Sequence, residues 1–220
     1  MSKNLVLYST IVGGFYAQTD ELNAAIAQAR QAVGDDVWKR GFSENDPQGA
    51  TLAAKGAFAK HDIKPIAVKG KLTHVGFVEN RDASGNLYPK VRVGLQNGED
   101  ELLLSIDLKS DVAQRLIPKL DNCMPGLGIE ISAWPTMVER AGRTFVNHAV
   151  SMKDEEGVQV PANSEFSANV KKLTDGVEPA LRAAGISDPK VIAAAKVNKR
   201  VDEHKALLLE IASRFETVPA

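Results

Sequence analysis

The chain has 220 residues, 44% of them apolar and 25% charged, with a net charge of −1. That composition suits an ordinary globular protein and excludes a generic polycationic coat for nucleic acid. A single cysteine, Cys123, excludes an internal disulfide and a cysteine-cluster metal site, and it points to a reducing, cytoplasmic setting. The stretch from Met1 to Tyr8 has no signal-peptide pattern, and no apolar run approaches the roughly 20 residues that span a bilayer, so no membrane partner is expected.

In chain order, Leu5-Val6-Leu7-Tyr8 and Gly13-Gly14-Phe15-Tyr16 suggest a short strand and a turn. Thr19 is placed to cap a helix, because its hydroxyl can accept from a free amide while Asp20 and Glu21 suit the helix dipole. Leu22, Ile26, Ala29 and Val33 recur at helical spacing, and Gly34 ends the run. Trp38-Lys39-Arg40-Gly41-Phe42 brackets two cations with two aromatics. A second helix is expected to open at Asp46-Pro47 and to run through Leu52 and Phe58 to Lys60, although Gly49 and Gly56 weaken it.

The stretch Ile63 to Lys153 changes period. Ile66, Val68, Gly70, Leu72, His74, Gly76 and Val78 occupy every second position, as the inward face of a long first strand. A loop rich in turn residues, from Arg81 to Asn86, leads to a second strand with Val91, Val93 and Leu95 inward and Tyr88, Lys90 and Arg92 outward. Asn97-Gly98 makes a hairpin turn into a third strand built on Leu102, Leu104, Ile106 and Leu108. Ser110 caps a short helix containing Val112, Leu116 and Leu120. Leu127, Ile129, Ile131 and Ala133 form a fourth strand that ends at Trp134-Pro135, and Thr144 to Met152 form a fifth. Beyond Lys153, short helices are expected around Phe166 to Leu173, capped by Asn163 or Ser164, and around Val177 to Ala184. A longer helix opens at Ser187-Asp188-Pro189 and carries an apolar stripe from Val191 to Phe215.

Five strands with one helix after the third is the order of an OB-fold barrel. The expectation is therefore an α+β protein: an N-terminal helical or irregular extension over residues 1–62, a five-stranded OB-fold barrel over 63–153, and a C-terminal helical region over 154–220. The strand block carries 12 basic and 10 acidic residues and is the one segment with a positive balance.

Chemistry-bearing patterns are few. The four histidines, His61, His74, His148 and His204, show no metal-binding spacing, and no phosphate loop, dinucleotide motif or nucleophile elbow is present. His74 and His148 fall on inward strand positions and read as core residues. No cofactor and no enzymatic role are expected. Stacking aromatics beside cations suit a single nucleic-acid strand, because every base has a π-face and phosphates attract cations without a sequence code. The candidates are Tyr88, Lys90 and Arg92 on the second strand and Lys69 and Lys71 on the first. Trp134, Arg140, Arg143 and Phe145 lie around the last hairpin, and Trp38, Lys39 and Arg40 lie outside the block. Each has an ordinary alternative as a solvated surface cation or a packed aromatic.

On this strand order, the helix from Ser110 to Leu120 and these outer aromatic and basic positions, residues 63–153 resemble the OB-fold of phage-type single-stranded-DNA-binding proteins. The resemblance implies a sequence-tolerant coat for single-stranded DNA in viral replication, recombination or transcription, located in the host cytoplasm. Some such proteins of N4-like phages recruit the viral RNA polymerase to its template. The resemblance also implies self-association and a polymerase or other replication or transcription protein as partner, and RNA remains an alternative ligand. The chain ends Arg214-Phe215-Glu216-Thr217-Val218-Pro219-Ala220 and lacks the acidic tail common in that family. The competing reading is a protein-interaction module that uses the strands and helical arms to hold partners.

Overall fold

The computed structural model describes residues 3–41, 49–81, 85–140 and 142–216, with backbone alone at 3, 140 and 143–145. The elements in order are β1 (Lys3–Ser9), β2 (Gly14–Ala17), α1 (Asp20–Val33), α2 (Asp35–Trp38), α3 (Ala50–Lys60), β3 (Val68–Arg81), β4 (Leu87–Asn97) and β5 (Asp100–Asp107). They are followed by α4 (Asp111–Leu120), β6 (Gly128–Arg140), β7 (Arg143–Asp154), α5 (Ser164–Ala183) and α6 (Pro189–Glu216). All seven strands belong to one sheet, in the order β2-β1-β5-β4-β3-β6-β7.

This is not a five-stranded OB-fold barrel. The strands expected between Ile63 and Lys153 are present as β3 to β7, but β1 runs parallel along the edge of β5, with Leu5 opposite Leu103, and β2 extends the sheet beyond it. The product is a seven-stranded mixed sheet curled into a half-barrel. A parallel pairing between segments far apart in the chain leaves no hairpin signature and no local period, so a short apolar start gives no sign of it.

The curl brings the two ends of the sheet together. The Tyr8 hydroxyl on β1 hydrogen-bonds Nδ1 of His148 on β7, and the two rings meet edge to face. Burial raises the Tyr8 pKa and lowers that of His148. Both groups are thus neutral near pH 7, and the imidazole tautomer sets which of them donates. Gly13 lies against the Pro135 ring, where a Cβ would sit 2.6 Å from Cδ, and its φ of 70° also favours glycine.

Inside the curl lies the main core. Val6, Phe15, Val68, Leu72, Val75, Val91, Val93, Leu95, Leu104, Ile106, Ile131 and Met152 fill it, and Leu116, Ile117, Leu120, Leu208 and Ile211 close it from α4 and α6. A second cluster, with Tyr16, Leu22, Ala25, Ala54 and Phe58, packs α1 and α3 against the opposite face of the sheet at its β1–β2 end. The caps form as the sequence indicates. Thr19 accepts from the Leu22 amide, Ser110 from Ala113 and Asn163 from Phe166. The expected opening of α3 at Asp46-Pro47 lies outside the described residues.

Three local expectations are corrected. In β3 a register shift between Leu72 and His74 inserts an extra residue and reverses the phase, so Val75 and Phe77 face the core while His74 and Val78 are exposed. His74 is therefore not a core histidine. Next, β6 does not stop at Trp134-Pro135 but continues to Arg140. Beyond Ile131 it pairs with β7 alone, an edge on which a proline without an N–H is tolerated. Finally, the two helices expected over 166–184 are a single α5, which keeps Gly176 and Pro179 inside and buries Val170 and Thr174.

Pro118 in α4 is also explained. It has no N–H to offer the carbonyl of Gln114, one turn earlier. Nε2 of His204, from α6, sits 3.1 Å from that carbonyl oxygen, and the ring packs edge to face on Phe166 of α5. A buried histidine thus sets one ring nitrogen against the carbonyl that the helical proline leaves without its N–H and the other against the Arg200 carbonyl, 2.8 Å away, and links three helices.

Candidate nucleic-acid interface

The pairings decide which candidates share a face. On β4, Tyr88, Lys90 and Arg92 alternate with the buried Val91 and Val93, so they point away from the core. Lys71 on β3 stands opposite Gln96, which has the same phase as Arg92, and Lys69 stands opposite Glu130 on β6. Trp134 follows Glu130 at an even interval, opposite Ala149 on β7. Lys69, Lys71, Tyr88, Lys90, Arg92 and Trp134 therefore lie on one face of the sheet, the side opposite the main core. From Lys71 to the Asn80–Tyr88 pair the strip runs nine residues along β3, or about 30 Å.

Helices α4 and α6 pack on the core side, and α1 and α3 cover only the β1–β2 end of this face, so among the described residues no helix lies over β3 and β4 there. Tyr88 is 41% and Trp134 44% exposed, which is unusual for large aromatics. The cations are tempered by carboxylates. Lys90 lies 3.7 Å from Asp107, and Lys69 lies 3.9 Å from Glu130. A phosphate arriving here would compete with those partners.

Two hollows mark the strip. An open cleft of about 540 Å³ lies over β3 and β4, lined by Thr73, His74, Asn80, Arg92, Glu101 and Leu103 among others. At the opposite end, a hollow of about 420 Å³ sets Lys69 and Lys71 against Asp154 and Glu155, a mixed charge that makes it a poor phosphate pocket.

The remaining candidates sit elsewhere. Trp38 is half-buried and packs against the second cluster, while Lys39 and Arg40 are exposed beside it. Phe42, the other aromatic of that run, lies outside the described residues. Arg140 ends β6, and Arg143 and Phe145 open β7; their side chains lie outside the described residues. Phe77 is packed against the core, with Lys205 of α6 over its ring at 4.3 Å. His74 and its cleft were not legible as a site, because the bulge that turns His74 outward leaves no mark in the period-two pattern.

Comparison of the chain with protein-family models, curated proteins and solved structures finds no match in any of the three. Among the described residues, no helix is long and apolar enough to cross a membrane.

Proposed function

We propose that this chain is a sequence-tolerant single-stranded-DNA-binding protein of the phage type, acting by binding rather than by catalysis. One observation carries the reading: the pairings put Tyr88, Lys90, Arg92, Lys69, Lys71 and Trp134 on one sheet face, and among the described residues no helix covers it over β3 and β4. The aromatics stack bases, the cations meet phosphates, and neither interaction reads sequence. Four cations on the strip imply about four phosphate contacts. The logarithm of affinity should then fall with the logarithm of salt at a slope near −3, at roughly 0.7 per phosphate on single strands.

Fluorescence polarisation with single-stranded DNA, duplex DNA and RNA at two salt concentrations tests this. Tighter binding to single strands than to duplex, with that slope, supports it. Indifference of labelled oligo-dT to micromolar protein at low salt overturns it and leaves the protein-interaction reading. Reversing Lys90 and Arg92 to Glu should weaken binding at least tenfold and flatten the slope by about 1.4. An unchanged slope would move the phosphate contacts off this strand.

A further inference from the structure

Resting on that reading, we propose that the open cleft over β3 and β4 is a subsite for one unstacked nucleobase, with the His74 imidazole as its stacking platform. Two outward positions of adjoining strands are glycines, and the room they leave is taken by the His74 ring that lines the cleft. Gly94 stands opposite His74, and Gly76 stands opposite Arg92. A Cβ on Gly94 would lie 3.0 Å from Cβ of His74, and one on Gly76 would lie 2.6 Å from its Nε2. The histidine therefore reaches from above one glycine to above the other and rests along the sheet. The bulge between Leu72 and His74 is what puts that ring on this side at all.

The surroundings suit the shape of a base. A nucleobase is a flat ring with apolar faces and polar edges. Val78 and Leu103 supply apolar flanks, while Asn80 and Thr73 can each donate and accept at an edge. Arg92 supplies the charge for the adjoining phosphate, and Tyr88, beside Asn80, offers a platform for a neighbouring base. A free inorganic anion would make no use of the ring and would meet the Glu101 carboxylate. Bases splayed out of a single strand and stacked on histidine or another aromatic ring follow a general mode of recognition.

The test compares two labelled oligonucleotides of about twenty units at low salt: oligo-dT, and an abasic deoxyribose-phosphate chain of equal length. The wild-type protein should prefer oligo-dT. His74→Ala should weaken oligo-dT binding about tenfold and leave abasic binding unchanged, and His74→Phe should restore oligo-dT binding. The thermal midpoint of each variant, read alongside, separates a loss of fold from a loss of binding. Wild-type affinity of His74→Ala for oligo-dT, with the wild-type protein binding normally, overturns the subsite and leaves the binding face standing. Equal loss on both oligonucleotides also overturns it, since the residue would then act through the backbone. Failure of the wild-type protein to bind either chain overturns the underlying reading itself.

Discussion

Single side chains here show where burial has set the chemistry. Cys123 is fully buried, and desolvation pushes its thiol up to about 11. It should stay unreactive toward a thiol reagent in the native state and react at the rate of global unfolding; fast labelling of folded protein would contradict its place in the core. Burial also holds His148 and His204 below the ordinary histidine range. Asp111 opposes that shift at His148, and the carbonyls of Arg200 and Gln114 oppose it at His204. Between those lowered values and about 6.5, the unfolded chain binds more protons than the folded one, so stability falls as pH drops through that window. Denaturant unfolding at about pH 7.5 and pH 5.5 should show the fall. Replacing both histidines by Gln should flatten it, and equal wild-type stability at the two pH values would contradict the assignment.

At the scale of elements, α4 and α6 depend on one another. His204→Ala removes the ring nitrogen that faces the Gln114 carbonyl and should cost about 1–3 kcal/mol. Pro118→Ala supplies an N–H to that same carbonyl, so His204→Ala should cost less in its background. A double-mutant cycle on unfolding free energies measures the difference, and strict additivity would mean the two residues do not share that acceptor. Helix starts were the most legible elements, because Thr19, Ser110 and Asn163 cap by local chemistry. The C-terminal stripe was legible only in part. Val201, Leu208, Ile211 and Phe215 are buried, but Val191 and Val197 are exposed and His204 takes a core place. A helix carries its own period, but its neighbours decide which flank of the stripe they cover. The bulge in β3 was illegible for a related reason: one inserted residue inverts everything after it, and nothing local to Leu72, Thr73 and His74 announces the insertion.

For the whole molecule, the half-barrel makes the N-terminal strands part of the sheet. Removing β1 would expose the edge of β5 and take Val6 and Tyr8 from the core side. A chain starting after Ser9 should lose cooperative unfolding or aggregate through that bare edge. A soluble truncated chain with wild-type stability would contradict the closure seen at Tyr8 and His148. The shared face of the strip on β4, by contrast, was legible, since alternation along β4 fixes the side of Tyr88, Lys90 and Arg92 whatever the sheet does at its edges. Its union with Lys69, Lys71 and Trp134 needed the pairings of β3 with β4 and β6, which only the folded chain supplies.

The account turns on this face being where a single strand lies. The most direct measurement is photocrosslinking of a bromodeoxyuridine-substituted oligonucleotide to the intact protein, with the modified peptides located by mass spectrometry. Crosslinks should fall on β3 and β4, at or beside His74 and Tyr88, and on β6 at Trp134. Crosslinks confined to α5 and α6 or to the hairpin β1–β2 would contradict the account.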